Sequence, residues 1–208
     1  MPAFVQTYPE IRKSASVKLV ERIRQGLLDL NFLDVEFDME FDRLDHFTAG
    51  GWDEAQFLIS TNPGQPMRPL KDVASGGELS RIMLAIKAVL AETDDIPTLI
   101  FDEIDTGISG RTAQMVSEKL SLIAGSHQVI CITHLPQIAA MADSHYEIRK
   151  TAKENRTVTQ IKRLSEDQMT DELARLLGGA EITEAVRQNA REMRALAAEK
   201  KRLNRQTP

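Results

Sequence analysis

The sequence predicts an α/β protein that contains a parallel sheet with flanking helices and additional hairpins. From Ile96 onward, short strands alternate with helices, and the strands at 98–101 and 128–133 have apolar centres. Continuous apolar strands joined by a helix are typical of a parallel sheet that is covered on both faces. Two other segments, one on each side of this region, alternate between polar and apolar residues around a turn, which predicts hairpins.

The chain begins with a predicted helix. Apolar residues recur at steps of three, four and three, with charged residues between them, at Val20, Ile23, Leu27 and Leu30. Two interpretations of this narrow stripe stay open. It fits an ordinary amphipathic helix, and it fits the last turns of a coiled coil, which would need at least three heptads to be recognised.

The first hairpin follows that helix. Apolar and acidic residues alternate from Val35 to Asp42, which predicts a strand with one buried and one acidic face. Gly50 and Gly51 mark a turn, and residues 55–60 form the returning strand. We interpret the row of carboxylates as a solvated face rather than a cation site.

The remaining elements follow the same rules. A helical stripe separates the two apolar strands, at Ala113, Val116, Leu120 and Ile123. A late hairpin is predicted at 145–150 and 157–164, and a helix at 171–177 ends at Gly178 and Gly179. The last helix, 184–203, has an apolar side formed by Val186, Ala190, Met193 and Ala197. These elements predict an entry helix or coiled-coil end at 1–31, one globular lobe at 32–183, and a C-terminal helix with a basic tail at 184–208.

Composition excludes several classes of protein. The 208 residues contain no apolar run long enough to span a bilayer, so no membrane partner is expected. The single cysteine, Cys131, excludes an internal disulfide, fits a reducing compartment, and lies inside an apolar strand, where we expect it in the core. A net charge of −5 argues against a chain that coats nucleic acid over its whole surface but permits a local basic patch.

Three motifs in a fixed order carry the chemistry. Residues Ser75, Gly76, Gly77 and Glu78 precede a helix whose apolar face is Leu79, Ile82, Met83, Ile86 and Val89. Glycines before a helix let its free N–H groups approach a phosphate. Asp102 and Glu103 end the first apolar strand, where one acid can hold Mg²⁺ through water and its neighbour can polarise an attacking water. His134 follows the next strand, so a parallel sheet would deliver it to the same edge.

These motifs resemble the C-terminal lobe of an ATP-binding-cassette ATPase head. Residues 74–78 match that family's signature motif, 98–103 its Walker B strand, 104–107 its D-loop, and His134 its switch histidine. The longer runs 74–81, 101–110, 133–139 and 172–179 are similar to the RecN family of bacterial DNA double-strand-break repair ATPases, which are relatives of the SMC proteins.

The resemblance implies a role for each matched residue. Asp102 would hold Mg²⁺ through water, Glu103 would orient or deprotonate the attacking water, and His134 would contact the γ-phosphate of ATP. Asp105 would couple two heads across their interface. The signature residues would meet the γ-phosphate of ATP bound on the opposing head, and they are Ser75, Gly76, Gly77 and Glu78.

One departure limits what this chain can do by itself. No Gly-x-x-x-x-Gly-Lys-[Ser/Thr] run occurs, so the loop that cradles the α- and β-phosphates is missing. In the resembled family that Walker A loop lies in an N-terminal lobe, beyond a long coiled coil. We therefore expect the chain to be the C-terminal part of a head that hydrolyses ATP only as a closed dimer, and to be inactive alone. The expected partners are the N-terminal lobe, a second head and DNA, in a bacterial, nucleoid-associated cytoplasmic protein.

Two alternatives stay open at this point. The chain fits a non-hydrolysing interaction module that docks on another lobe, or the head lobe of another SMC-like ATPase. DNA as a partner is implied by the resemblance, and the charge pattern only permits it. Basic residues cluster on the late hairpin, at Arg149, Lys150, Lys153, Arg156, Lys162 and Arg163. A second cluster lies in the tail, at Arg191, Arg194, Lys200, Lys201, Arg202 and Arg205.

Overall fold

The computed structural model describes residues 4–73, 75–91, 93, 95–153, 156–179 and 181–204. The chain divides into two compact units, residues 1–97 with 101–106, and residues 98–100 with 107–208. In chain order the elements are α1 Phe4–Asp29, β1 Glu36–Thr48, β2 Gly51–Ser60, β3 Arg68–Pro69, a 3₁₀ turn Leu70–Asp72, α2 Gly76–Leu90, β4 Thr98–Phe101, α3 Gly110–Ile123, β5 Gln128–Cys131, α4 Pro136–Ala140, β6 Tyr146–Lys153, β7 Arg156–Arg163, α5 Glu166–Gly178 and α6 Glu184–Asn204.

Helix α1 is buried near its C-terminal end. Ile23, Leu27 and, just after the helix, Leu30 are fully buried, whereas Tyr8, Ile11 and Val17 are 61%, 58% and 69% exposed. A Cβ built on Gly26 would lie 3.5 Å from Cβ of Ala85, an ordinary van der Waals distance, so α1 packs against α2 at this position. The predicted helix is confirmed, and its exposed first half fits either of the two interpretations given for its stripe.

The first hairpin is confirmed, with β1 and β2 antiparallel and Phe37 opposite Ile59. Val35, Phe37 and Ile59 are buried, and the acidic positions of β1 are exposed, as the alternation predicts. The register shifts between Arg43 and Thr48. Strand β2 begins at Gly51 rather than at 55, and the two-residue β3 adds a third strand that has no sequence pattern to predict it.

Helix α2 is buried on most of its circumference, so its predicted single apolar face is wrong in part. Ile82 and Ile86 are buried as expected, but Leu84 and Ala85, which lie off that face, are buried too. The other three predicted core residues are only half-buried, namely Leu79, Met83 and Val89. The helix therefore lies inside the first unit rather than on its surface, and it buries even the charged Arg81.

In the second unit, β4 and β5 form a two-stranded sheet. The Thr98 hydroxyl donates to Oε1 of Gln128 over 2.9 Å, which brings the first residues of the strands together, as in the predicted parallel arrangement. The expectation that both faces are covered is wrong within this chain, because three isoleucines of this sheet and its continuation remain 46–68% exposed: Ile100, Ile130 and Ile132. Cys131 is half-buried rather than a core residue.

The rest of the second unit follows the sequence pattern. The four predicted residues of α3 are buried, and β6 and β7 pair antiparallel with Ile148 opposite Ile161. Helix α5 begins five residues earlier than predicted, because Ser165 and Gln168 form a capping box at its start. Its Leu173 packs with Ala190 and Ala197 of α6 in the core of this unit. Among the described residues, no helix is long and apolar enough to cross a membrane.

Candidate functional site

The first part of the candidate site is the start of α2. Ser75 is the N-cap residue, with extended backbone, and its Oγ accepts a hydrogen bond from the backbone N–H of Glu78 over 3.4 Å. The first turn of a helix has N–H groups without intrahelical partners and carries the positive end of the helix dipole, so it can bind an anion. Ala74, the first residue of the predicted signature motif, lies outside the described residues.

The second part is the loop that follows β4, which we call the acidic loop (residues 102–106). Asp102 Oδ1 accepts a hydrogen bond from the backbone N–H of Glu103 over 2.9 Å, and the N–H of Thr106 donates to the carbonyl of Glu103 over 3.0 Å. Glu103 adopts a left-handed backbone with φ of 56°, which is uncommon for a residue other than glycine. The chain therefore reverses directly after the strand, with the side chains of Asp102 and Glu103 exposed.

These two parts touch each other, and two glycines make the contact possible. A Cβ built on Gly76 would lie 2.5 Å from Oε2 of Glu103, so the carboxylate occupies the space that a side chain would take. A Cβ on Gly77 would lie 3.0 Å from the Glu103 carbonyl oxygen and from Cβ and the carbonyl oxygen of Thr106. The sequence predicts a phosphate contact for both glycines. The structure adds a second requirement, which is the close packing of the acidic loop.

Two residues of α2 that the sequence analysis left without a role hold the acidic loop. The Ser80 hydroxyl donates to the carbonyl of Asp102 over 2.8 Å. Nη1 of Arg81 donates to the carbonyls of Ile104, over 3.4 Å, and Thr106, over 3.0 Å. The sequence carries no local signal for Arg81, because it lies off the predicted apolar face of α2.

Asp105 and His134 belong to different units of the chain. Asp105 belongs to the acidic loop and is only 5% exposed. His134 is an exposed residue of the other unit, in the turn between β5 and α4, where Thr133 Oγ1 accepts a hydrogen bond from the backbone N–H of Leu135 over 3.0 Å. The roles that the resemblance implies for both residues stay predictions.

The chemistry of the donor set fits Mg²⁺ held mainly by water and phosphate. No group of three or more His, Cys, Asp or Glu side chains suited to a metal occurs among the described residues. Mg²⁺ retains several waters and takes one or two carboxylates plus phosphate oxygens, so the exposed Asp102 can supply its share alone. A site of this kind requires a bound nucleotide to complete the ligand set.

The two basic clusters differ in the ion pairs that their cations form. In the tail, four cations form ion pairs within the second unit, Arg191 with Glu184, Arg194 with Glu166, Lys200 with Glu118, and Lys201 with Asp143. On the hairpin, Arg149 pairs with Glu147, while Lys150, Lys162 and Arg163 lie on exposed strand positions. Arg205 and the side chains of Lys153 and Arg156 lie outside the described residues. Four tail cations are therefore engaged in ion pairs, and on the hairpin Arg163 also donates to the hydroxyl of Ser144 over 3.2 Å. The hairpin is the basic surface on which more cations lie exposed.

The sequence is similar to curated DNA repair proteins. It is 42% identical over 191 residues to the DNA repair protein RecN of Halalkalibacterium halodurans, covering 90% of this chain and 34% of that protein. It is 42% identical to the Bacillus subtilis protein of that name over 199 residues (88% and 34%) and 43% identical to that of Vibrio cholerae over 194 residues (91% and 35%). The chain thus spans about a third of the length of these relatives. No protein-family model matches it.

Solved structures show the same fold at low sequence identity. The Smc head domain of Pyrococcus yayanosii, with its coiled coil and joint, matches with a TM-score of 0.56 and 17% identity, over 78% of this chain and 29% of that one. The Smc head domain of Pyrococcus furiosus, bound to the C-terminal domain of ScpA, matches with a TM-score of 0.54 and 17% identity, over 80% of this chain and 39% of that one. The fold is therefore that of an Smc head domain.

Proposed function

The chain belongs to the RecN family of DNA repair proteins, and we propose that it forms the C-terminal lobe of an ATP-hydrolysing head that acts in DNA double-strand-break repair and recombination. One observation supports the proposal most strongly. The anion-binding start of α2 and the acidic loop, which come from separate parts of the sequence, pack against each other through Gly76 and Gly77. This packing supports the proposal, because it holds the proposed catalytic acids next to the proposed signature motif.

The proposed reaction is the transfer of the γ-phosphoryl group of ATP to water. Glu103 orients the attacking water and accepts its proton, which is the work of a general base. Asp102 holds Mg²⁺ through water, and this ion, when bound, neutralises charge on the phosphate oxygens. His134 contacts the γ-phosphate, because parallel strands deliver the residues that follow them to one edge of the sheet. Asp105 couples this centre to the second head.

The phosphate cradle must come from elsewhere, since the chain has no Walker A sequence. We propose that an N-terminal lobe of the same protein supplies it. The exposed isoleucines of the β4–β5 sheet support this partner, because the burial of an apolar sheet face under another element is favourable. Helix α1 is then the end of the coiled coil that joins the two lobes.

The second proposed partner is another head of the same kind. Ser75, Gly76, Gly77 and Glu78 would bind the γ-phosphate of ATP held by that opposing head, so hydrolysis requires a closed dimer. DNA is the third partner, and the exposed cations of the β6–β7 hairpin are its candidate contacts. Such contacts would be independent of base sequence and sensitive to salt.

The decisive experiment measures Mg²⁺-dependent ATP hydrolysis by this chain alone, by a separately produced N-terminal lobe alone, and by their mixture. We expect activity only in the mixture. Robust hydrolysis by the chain alone would contradict the need for a second lobe, and an inactive mixture whose lobes nevertheless associate would favour a non-hydrolysing docking module.

Replacement of Glu103 by Gln tests the general base. In the complete protein, Glu103→Gln should lower the steady-state rate of ATP hydrolysis by about a hundredfold or more, because general-base catalysis contributes 10²–10⁴-fold. Heads should still close on ATP, so a persistent ATP-dependent dimer is the matched positive control. Undiminished turnover would remove Glu103 from the mechanism.

Replacement of Ser75 by Arg tests the contact with the opposing head. A long cationic side chain at the start of α2 should block ATP-dependent head dimerisation, while each monomer should bind ATP with unchanged affinity. Sedimentation in the presence of ATP measures the first property, and nucleotide titration measures the second. An intact ATP dimer would show that the start of α2 does not face the other head.

A further inference from the structure

We propose that Arg81 is a positioning residue for ATP hydrolysis, which fixes the loop that carries Glu103 and Asp105 onto the signature helix α2. The inference rests on the proposed function, because it assigns Arg81 a role in the same reaction. Arg81 contacts the backbone of the acidic loop, at the carbonyls of Ile104 and Thr106. It acts through the backbone on both sides of those residues.

The hydrogen bonds of α2 bracket the acidic loop. Ser80 binds the carbonyl of Asp102, and Arg81 binds the carbonyls of Ile104 and Thr106. Three alternate peptide groups are therefore tied to one helical turn, and Glu103 and Asp105 are the residues between them. A displacement of either acid requires at least one of these bonds to break.

The loop needs this restraint because its conformation is not the one that its residues prefer. Glu103 is held at φ of 56°, and a left-handed backbone costs roughly 1 kcal/mol or more for a residue with a side chain. Such a conformation persists only where surrounding contacts determine it. Ile104, which lies between the two acids in the sequence, is fully buried and also restrains the loop.

Arginine suits this position better than lysine. Arg81 is only 8% exposed, and its guanidinium lies over the ring of Phe32, 5.6 Å from the ring centroid. A planar guanidinium has five donors in a fixed fork and stacks on aromatic rings, whereas a lysine ammonium is a strongly hydrated point charge. Burial lowers the pKa of Arg81, and the nearby carboxylate of Glu78 raises it, so this acid of the first turn helps to retain the charge.

The consequence concerns rate rather than affinity. A base that is displaced by about 1 Å can lose a factor of 10² in rate, while the nucleotide contacts of the other lobe remain intact. Loss of Arg81 should therefore lower kcat and leave the KM for ATP nearly unchanged. A residue that served only the stability of the fold would lower the amount of active protein without a change in the chemistry of each folded molecule.

The test uses the complete protein and compares Arg81→Met, Arg81→Lys and Arg194→Met. Arg194 is the matched control, because its Nη1 also donates to a backbone carbonyl, that of Glu166, over 2.9 Å, but in the α5–α6 packing of the second unit. Rates are referred to the folded fraction, which is measured by thermal unfolding. Arg81→Met should lower kcat at least about tenfold, with a KM within about threefold of that of the parent protein. The kcat of Arg81→Lys should lie between those of Arg81→Met and the parent protein. Arg194→Met should keep the parent kcat.

The outcomes separate this inference from the proposed function. Equal kcat values for Arg81→Lys, Arg81→Met and the Arg194 control would overturn the role of Arg81, as would a raised KM with unchanged kcat. If Arg81→Met does not fold, the kcat of Arg81→Lys decides the question. Full activity of Glu103→Gln in the same assay would instead overturn the proposed general base, whatever the Arg81 variants do.

Discussion

Replacement of Gly77 by Ala should destabilise the chain although it adds a good helix former to a helix. The new Cβ would lie 3.0 Å from three atoms of the acidic loop, two of them carbonyl oxygens of Glu103 and Thr106. Those oxygens belong to the backbone and cannot rotate away. The loop is also held in place by Ser80 and Arg81, so it must shift against their hydrogen bonds.

The size of the effect follows from two opposing contributions. An alanine inside a helix is favoured over glycine by up to about 1 kcal/mol. Insertion of an extra methyl group into a packed site costs about 1–3 kcal/mol, and three contacts at 3.0 Å place Gly77 at the upper end of that range. The net loss in the free energy of unfolding should be about 1–2 kcal/mol.

Gly76→Ala is the matched control, because it adds the same methyl group one residue earlier in the same helix. Its new Cβ would meet only Oε2 of Glu103, at the far end of a flexible side chain that can swing aside. Urea unfolding of the chain should therefore show Gly76→Ala within about 0.5 kcal/mol of the parent or above it. A Gly77→Ala protein that is as stable as Gly76→Ala would refute the close packing of the acidic loop on α2.

Two further predictions concern stability. Ile23→Ala, at a fully buried position of α1, should cost about 2–5 kcal/mol in urea unfolding, whereas Val17→Ala, at a 69% exposed position of the same helix, should stay within about 0.5 kcal/mol. Comparable losses would mean that the first half of α1 is packed as well. Burial lowers the pKa of His145, whose Nε2 donates to the carbonyl of Ala139, although that bond and the carboxylates of Glu172 and Glu166 oppose the shift. Because the unfolded chain then binds a proton at higher pH than the folded chain, the free energy of unfolding should fall as the pH drops below about 6.5, and His145→Gln should flatten that slope.

The sequence predicted best the features that depend on local periodicity. Strand β4 lies at the predicted residues, and the four predicted positions of α3 are buried, because alternation and helical spacing report directly on which face is apolar. The structure also brings two of the predicted motifs together, since the start of α2 and the acidic loop meet. That contact was not itself predictable, because it joins segments about 25 residues apart and depends on how α2 crosses the loop.

Other features have no local signal. Arg81 looks like a surface residue in the sequence, and only the fold shows that it is buried against the acidic loop and Phe32. The left-handed backbone of Glu103 occurs in a stretch without a neighbouring glycine to indicate it. Strand β3 contains a proline and only two residues, so it exists because β2 pairs with it and not because of its own propensity.

At the exposed sheet face, the sequence pattern predicts burial that this chain alone does not provide. Ile100, Ile130 and Ile132 are 68%, 46% and 51% exposed, although their strands have the composition of a sheet covered on both sides. Complete burial of one such side chain contributes about 1.5–3 kcal/mol, so covering the remaining half of all three is worth roughly 3 kcal/mol. The net stability of a domain is only about 5–15 kcal/mol, so a gain of this size would be a substantial part of the stability of the lobe. The same apolar strands that predict a two-sided sheet therefore favour an assembled head, in which the lobe that brings the phosphate cradle also stabilises the catalytic one.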